Sequence, residues 1–399
     1  MSEVILTLNA GSSSLKFAVF EFDTTQTTAS ISGKITGIGR APEFSARVGD
    51  GADLEKGILN HINTASSHED IIALLLAWLK QHLEDRPLIA IGHRVVHGGS
   101  FFAAPTRITD DVLNKLETLN PLAPLHQPHN LAAIRAVSKW HPEVPQFACF
   151  DTGFHQTQDR VASLFALPRS LSDEGIVRYG FHGLSYEYIA SVLPHHLGQQ
   201  ADARVIVAHL GNGASMCAMK NRQSVATSMG FTALDGLMMG RRCGTLDPGV
   251  VLYLMQSKGM TVSQVEALLY RQSGLLGVSG ISNHMQVLQD SDDPHAREAI
   301  ELYAFRAASV LAGLATAIGG LDALVFTAGI GENSALMRHL ICDRLAWMGL
   351  CLDSEANDEN ATTISSSHST VTVLKLPTNE EAVVAKACRS IVANRPIQK

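Results

Sequence analysis

The chain lacks a Walker A loop: no G-x-x-x-x-G-K-[ST] run stands between a strand and a helix. A phosphate site built on helix N-terminal amides in that manner is therefore excluded. Long apolar runs are also missing. The longest candidates, Ile71 to Leu79 and Ala307 to Leu321, fall short of the ~18 uninterrupted residues of a membrane-spanning helix, so both are expected to be core helices. The six cysteines, at 149, 217, 243, 342, 351 and 388, show no C-x-x-C spacing. That scatter argues against a structural zinc site or a disulfide framework and suits a reducing cytoplasm. A net charge of -7 argues against a nucleic-acid surface, so any cations that meet phosphate must be concentrated locally. Glu3 precedes the first short apolar run, where a signal peptide would carry a basic region. A cytoplasmic protein with neither nucleic-acid nor membrane partners is expected.

What the chain does have is length and core-forming residues. Its 399 residues, 46% of them hydrophobic, exceed the roughly 250 to 300 residues at which a single core stops growing, which implies two domains.

Three stretches organise it. Ile5 to Phe20 reads as apolar strand, small polar turn and second apolar strand, with Asn9, Gly11, Ser12, Ser14 and Lys16 at or near the turn. Exposed turn amides, hydroxyls and a nearby cation make an anion-binding concavity; an ordinary Gly-Ser turn is the alternative. Val205 to Met219 repeats the plan around His209, Gly211, Asn212 and Gly213, and such internal similarity points to a duplicated α/β fold. The third stretch, Val325 to Ser334, follows a helical run at 296 to 319 and carries Gly329-Ile330-Gly331-Glu332-Asn333, expected to form a nucleotide loop.

Between these stretches lie residues with chemistry to explain. Residues 21 to 66 read as short strands and loops, and Ser67 to Asp70 as a capping-box start to a buried helix. Leu88 to Gly99 reads as a strand with Arg94 in its apolar body and His93 and His97 on one face. A guanidinium there needs an anion, either a buried carboxylate or a ligand. The proline-dotted stretch Asn120 to Asn130 reads as a loop bearing His126. Asp151 ends an apolar strand, Phe147 to Phe150, as a helix cap or a site acid. Glu380 opens a C-terminal helix to Ala393, where its charge complements the dipole or serves a site.

Taken in order, these motifs resemble the acetate and propionate kinases of the sugar kinase, heat-shock chaperone and actin superfamily. The resemblance rests on the three loops with Gly92-His93-Arg94-Val95-Val96-His97-Gly98-Gly99, Pro124-Leu125-His126, Phe150-Asp151-Thr152-Gly153-Phe154-His155, Arg178-Tyr179-Gly180-Phe181-His182-Gly183, Gly236-Leu237-Met238-Met239-Gly240 and Pro377-Thr378-Asn379-Glu380-Glu381. It implies two ribonuclease H-like domains facing a nucleotide cleft, the actin-like ATPase fold, with domains 1-148 plus 380-399 and 149-379. It also implies reversible phosphoryl transfer between ATP and a small carboxylate, with Mg2+, in a homodimer.

Residue by residue, the resemblance assigns Asp151, Arg94, His182, Arg242 and His126 to catalysis, and Asn9, Asp151 and Glu380 to Mg2+. The nucleotide falls to Ser12, Ser14, Lys16, His209, Gly211, Asn212, Gly213, His284, Gln286 and Gly329 to Asn333. Arg94, Val96, Leu125, Phe181 and Ala233 line the carboxylate pocket, where branched Val96 favours acetate and Ala233, in place of a common Pro, relaxes the fit. The chain departs from the pattern at Gln127 (usually Asn), at Leu184 and Tyr186 (Thr and His), and at Ala226 (Asp). Further departures are Arg241, Cys243 and Thr245 (Thr, Ser, Asp), then His284 and Gln286 (Asp and Arg). The alternatives are a propionate kinase, a pyrophosphate-using relative and a nucleotide-driven switch without carboxylate chemistry.

Overall fold

The computed structural model describes residues 2–24, 27–49, 51, 53–54, 62, 66–83 and 85–393. The chain forms two compact units, Met1–Gly153 with Asn379–Lys399, and Phe154–Thr378.

The first unit is built on seven strands: β1 (Val4–Ala10), β2 (Ser14–Glu21), β3 (Ile31–Thr36), β4 (Glu43–Val48), β5 (Leu88–Val95), β6 (Thr106–Arg107) and β7 (Gln146–Phe150), in the order β4-β3-β2-β1-β5-β7-β6. β1 and β2 form the expected hairpin, with Asn9 opposite Lys16. β5 and β7 continue the sheet in parallel, with Leu8 beside His93 and Arg94 beside Cys149. The ends of β1, β5 and β7 thus deliver Asn9, Arg94 and Asp151 to one edge. Of the region 21 to 66, β3 and β4 are ordered strands, and 55–61 lie outside the described residues.

Helix His68–His82 covers one face of this sheet and starts with the full capping box between Ser67 and Asp70. Its Trp78 packs edge-on against Phe17 and Phe44, at 5.9 and 5.1 Å between ring centres. Helix Glu380–Ala393 packs on β1 and β5. Position 92 has to be glycine for that approach: a Cβ there would stand 2.3 Å from Val384 Cγ1.

In the second unit β8 (Val205–Leu210), β9 (Ala214–Lys220), β10 (Gln223–Thr227), β11 (Ala323–Thr327) and β12 (Thr372–Lys375) form a sheet in the order β10-β9-β8-β11-β12. This repeats β3-β2-β1-β5-β7 strand for strand: an antiparallel trio, then two parallel additions. Helix Gly183–Leu197 covers one face, packing Ile189 and Leu193 with Val205, Val207, Val325 and Leu374. Helix Pro294–Ile318 lies against β8, β9 and β10. It is long and apolar enough to cross a membrane by length and composition, but half of its apolar window is buried within the protein, as a core helix requires.

Local structure differs from the sequence reading in three places. β5 ends at Val95, so His97 does not share a strand face with His93. The stretch ending at Asn130 is not all loop, because helix Gln127–Trp140 begins inside it, with Pro128 in its first turn where no amide donor is needed. Gly329 to Asn333 is no open loop but part of a short helix, Ala328–Asn333, entered through Ala328 at φ 65°.

Candidate active site

In the first unit Arg94 lies among carboxylates. Its Nε donates to Asp151 Oδ1 at 2.9 Å and its Nη2 to Oδ2 at 2.6 Å, the two-pronged fit that a planar guanidinium makes with a carboxylate. Nη1 lies 3.3 Å from Glu380 Oε2 and donates to Asn9 Oδ1 at 3.4 Å. Asp151 is fully buried, and its side chain is committed to this pair. Burial disfavours charge on Arg94, but Asp151 and then Glu380 outweigh it and raise its pKa. Burial pushes the Glu380 carboxyl up to about 7; Arg94 opposes that shift, while Asp151 and Glu381 reinforce it. Thr7, Leu8, Asn9, Arg94, Glu380, Glu381 and Val384 line a small cavity here.

The β1–β2 turn is fixed by backbone contacts. Gly11 N–H donates to Ser14 C=O at 2.8 Å and Ile38 N–H to Ser13 C=O at 3.1 Å. Asn130 Nδ2 donates to Ala10 C=O at 2.7 Å, and Asn130 Oδ1 accepts from Val96 N–H, so one buried amide joins the ends of β1 and β5. Gln127, also buried, holds His97 through both its backbone groups. His68 Nε2 lies 2.8 Å from Gly11 C=O. Sequence reasoning gave His68 and Asn130 no role, and the only signal for either was proximity to a quoted motif. Ser12 and Lys16 are exposed and Ser14 is half-buried at this turn. Val96 is buried, and Leu125 and His126 are half-buried, with His126 at the N-cap of its helix. His93 is buried against Gln146, and burial takes its pKa down to about 4.

In the second unit the β8–β9 turn is closed by Gly211 N–H donating to Gly213 C=O at 3.1 Å. Gly213 is where a guanidinium and an imidazole converge: a Cβ there would stand 2.8 Å from Arg242 Nη2 and 3.5 Å from His182 Nε2. Arg242 donates through Nη1 to Ala233 C=O at 2.6 Å, and among the described residues no carboxylate pairs with it. Burial lowers its pKa, the opposite of Arg94. His182, at φ 58°, enters helix Gly183–Leu197, and its ring stacks on His209 with centres 4.3 Å apart. His182 Nδ1 lies 2.8 Å from Ser215 Oγ, which lies 2.5 Å from the Tyr186 hydroxyl. His209 Nδ1 lies 2.8 Å from Ser185 Oγ, which donates to Thr378 Oγ1. Phe181 is buried and Ala233 half-buried.

Asn212 Oδ1 accepts from Asn283 Nδ2 at 3.1 Å, which brings the segment carrying His284 and Gln286 to the β8–β9 turn. Both side chains are exposed, and Gln286 Nε2 donates to the Asp290 carboxylate at 3.0 and 3.2 Å. In helix Ala328–Asn333 the two polar side chains turn onto their own backbone. Glu332 Oε1 accepts from Ala328 N–H at 2.8 Å and Thr378 N–H at 3.3 Å, and Asn333 Nδ2 donates to Gly329 C=O at 2.8 Å. Gly329 is exposed, Ile330 half-buried and Gly331 buried. The fully buried Arg338 donates to Gly331 C=O and Glu332 C=O, and to Asn357 and Asn360. Nothing in the sequence reading singled it out.

Two units that repeat one strand order, each with a glycine turn after its first strand, have the duplicated actin-like ATPase fold. A propionate kinase from Francisella tularensis is 37% identical with a TM-score of 0.89, covering 96% of this chain and 98% of that one. An acetate kinase from Porphyromonas gingivalis is 34% identical with a TM-score of 0.84, covering 98% and 100%. A Rhodopseudomonas palustris protein named acetate kinase is 53% identical over 391 residues, 97% of this chain and 98% of the relative. The profile of the acetokinase family matches residues 4–386, and the chain belongs to that family.

Proposed function

We propose that the protein is an acetate kinase, transferring the γ-phosphoryl group of ATP reversibly to acetate to give acetyl phosphate and ADP. The observation that carries this reading is the convergence of Arg242 and His182 on Gly213. A half-buried guanidinium bonded to a neutral carbonyl, beside an imidazole and a glycine turn, is built to receive an anion. A nucleotide switch of the actin or chaperone kind has no need of it.

Acetate is ionised at neutral pH, its pKa being near the ~4 of Asp and Glu. Its oxygen therefore attacks the γ-phosphorus without a general base, while the bond from phosphorus to the bridging oxygen of ADP breaks. What remains is positioning and charge neutralisation. In this reading His182 and Arg242 meet the transferring group in the second unit. Within the first unit the acceptor roles fall to Arg94, His126, Val96 and Leu125, and within the second to Phe181 and Ala233. Ser12, Ser14 and Lys16 are the phosphate-binding groups of the first unit's turn, His209, Gly211, Asn212 and Gly213 those of the second unit's turn, and the backbone of Gly329 to Gly331 serves the nucleoside. Glu332 and Asn333 act by holding that backbone, and His284 and Gln286 line its approach.

By resemblance Asp151, Glu380 and Asn9 would hold Mg2+, once Arg94 gives up the oxygens it engages here. Their side-chain oxygens suit a hard cation, and burial, with Asp151 and Glu381 against the pull of Arg94, raises the Glu380 pKa to about 7. Such a cation, when bound, supplies charge to offset that of the phosphates. The reading extends to a cytoplasmic homodimer. Six unpaired cysteines, four of them buried, agree with a reducing compartment. Helix Pro248–Gln256 leaves Val250, Leu252, Tyr253 and Met255 exposed, apolar surface available to a second copy.

Propionate is the second reading, favoured by the 0.89 TM-score to a protein named propionate kinase. One methylene is worth only about 1 to 3 kcal/mol in a pocket. Trapping acyl phosphate with hydroxylamine, from MgATP with acetate, propionate and butyrate in parallel, tests both. Acetate is expected to give the highest kcat/KM. Absence of product from all three, with ATP still bound, would transfer the reading to the nucleotide switch.

A further inference from the structure

The imidazole that faces Gly213 is wired to a buried phenol. Tyr186 is fully buried on helix Gly183–Leu197, one turn beyond His182, and its hydroxyl reaches Ser215 Oγ, which in turn reaches His182 Nδ1. We propose that Tyr186 is a positioning residue that acts through Ser215 to hold His182 in the tautomer whose proton sits on Nε2, the nitrogen directed at Gly213. This inference rests on the phosphoryl-transfer reading above.

The direction of the relay follows from hydroxyl chemistry. A phenol, with a pKa near ~10, is a far stronger donor than an alkyl hydroxyl and a weaker acceptor. Tyr186 therefore donates to Ser215 Oγ. Serine has a single proton, and with its oxygen accepting from Tyr186 that proton is directed to His182 Nδ1. A neutral imidazole that accepts at one nitrogen carries its proton on the other. Nε2–H is then a donor 3.5 Å from the point where a Gly213 Cβ would be, on the side where Arg242 Nη2 also points. The stacked neighbour is wired the opposite way. Ser185 spends its proton on Thr378 Oγ1, so its oxygen accepts from Nδ1–H of His209. Two parallel rings 4.3 Å apart thus hold opposite tautomers, each fixed by its own serine.

The relay matters because a free imidazole in water interconverts between its two tautomers. Fixing the proton on Nε2 removes that cost from the chemical step, as preorganised donors do. Ground-state binding of ATP and acetate draws mostly on other groups, so loss of the relay falls on kcat more than on KM.

Two measurements test this on the full chain. With 15N-labelled histidine, long-range 1H–15N correlation spectra read the tautomer of His182 without any substrate, the signals being assigned by their loss in His182→Gln. The wild-type chain is expected to show protonated Nε2 and unprotonated Nδ1. Tyr186→Phe, which removes one oxygen from a buried ring, is expected to shift His182 toward the Nδ1–H form. In the same variant kcat falls on the order of tenfold or more, with both KM values nearly unchanged. Ser215→Ala, which cuts the relay at its middle, is expected to match it. An Nδ1–H tautomer in the wild-type chain overturns the proposal, as does an unmoved tautomer in both variants or a moved tautomer with unchanged kcat. Because the spectra need no turnover, a wild-type chain that made no acyl phosphate would defeat the kinase reading alone.

Discussion

Glu380 shows how a site residue sets a pH response. Its carboxyl is ordinary in the unfolded chain, near 4.5, and is pushed up to about 7 when folded, by burial first and then by Asp151 and Glu381 against the pull of Arg94. The folded state therefore holds this proton more tightly. The group's contribution to stability is fully present below about 4.5 and is lost as pH rises through about 7. In metal-free buffer we expect this carboxylate to cost on the order of 3 kcal/mol at pH 8 relative to pH 4.5. Glu380→Gln, which cannot ionise, should flatten that part of the stability-pH curve measured by urea unfolding. Parallel curves for the two proteins would remove Glu380 as its source. The sequence placed Glu380 and Asp151 beside each other only through resemblance. That Arg94 would take Asp151 in a two-pronged pair, instead of leaving it to cap a helix, depends on β5 and β7 lying side by side, and no local pattern states which strands are neighbours.

Helix Ala328–Asn333 depends on partners outside itself. One turn of helix fixes its backbone at the cost of several dihedrals for little hydrogen bonding, and Ala328 sits in the left-handed region. Glu332 compensates from within by accepting Ala328 N–H. Arg338 does so from beyond, taking the carbonyls of Gly331 and Glu332 and tying them to Asn357. Arg338→Met keeps much of the stem but removes the guanidinium donors, leaving buried carbonyls unpaired. We expect a loss on the order of 3 kcal/mol or more in urea unfolding, and a weaker affinity for ATP in the folded variant. A loss below about 1 kcal/mol would show that these carbonyls find other partners. Here the sequence was legible in part. Apolar runs on either side of glycine turns announced β1, β2, β8 and β9, and the helix from Glu380 to Ala393 was read to the residue. Gly329 to Asn333 was misread as a loop because its glycines signal a turn, while the groups that make it helical, Arg338 and Thr378, lie outside the motif.

At the scale of the molecule, a strand order is used twice, and each copy brings one arginine to chemistry of its own. The duplication was visible as two glycine-turn hairpins half a chain apart, since hairpins are encoded locally. The electrostatic contrast between the two arginines was not visible: Arg94 is held by carboxylates, whereas Arg242 donates to a neutral carbonyl. Nor was the joining of Ala10 to Val96 through Asn130, or of Tyr186 to His182 through Ser215. Such contacts are made by folding, between residues far apart in the chain. If both copies serve one phosphoryl transfer, neither arginine is dispensable. The most direct test is acetate-dependent turnover of Arg94→Ala and Arg242→Ala beside the wild-type chain, with the lysine variants included because an ammonium cannot reproduce the planar fork. We predict that kcat falls on the order of 10²-fold or more in each alanine variant and that lysine restores little. Near-normal turnover in either alanine variant would contradict the account.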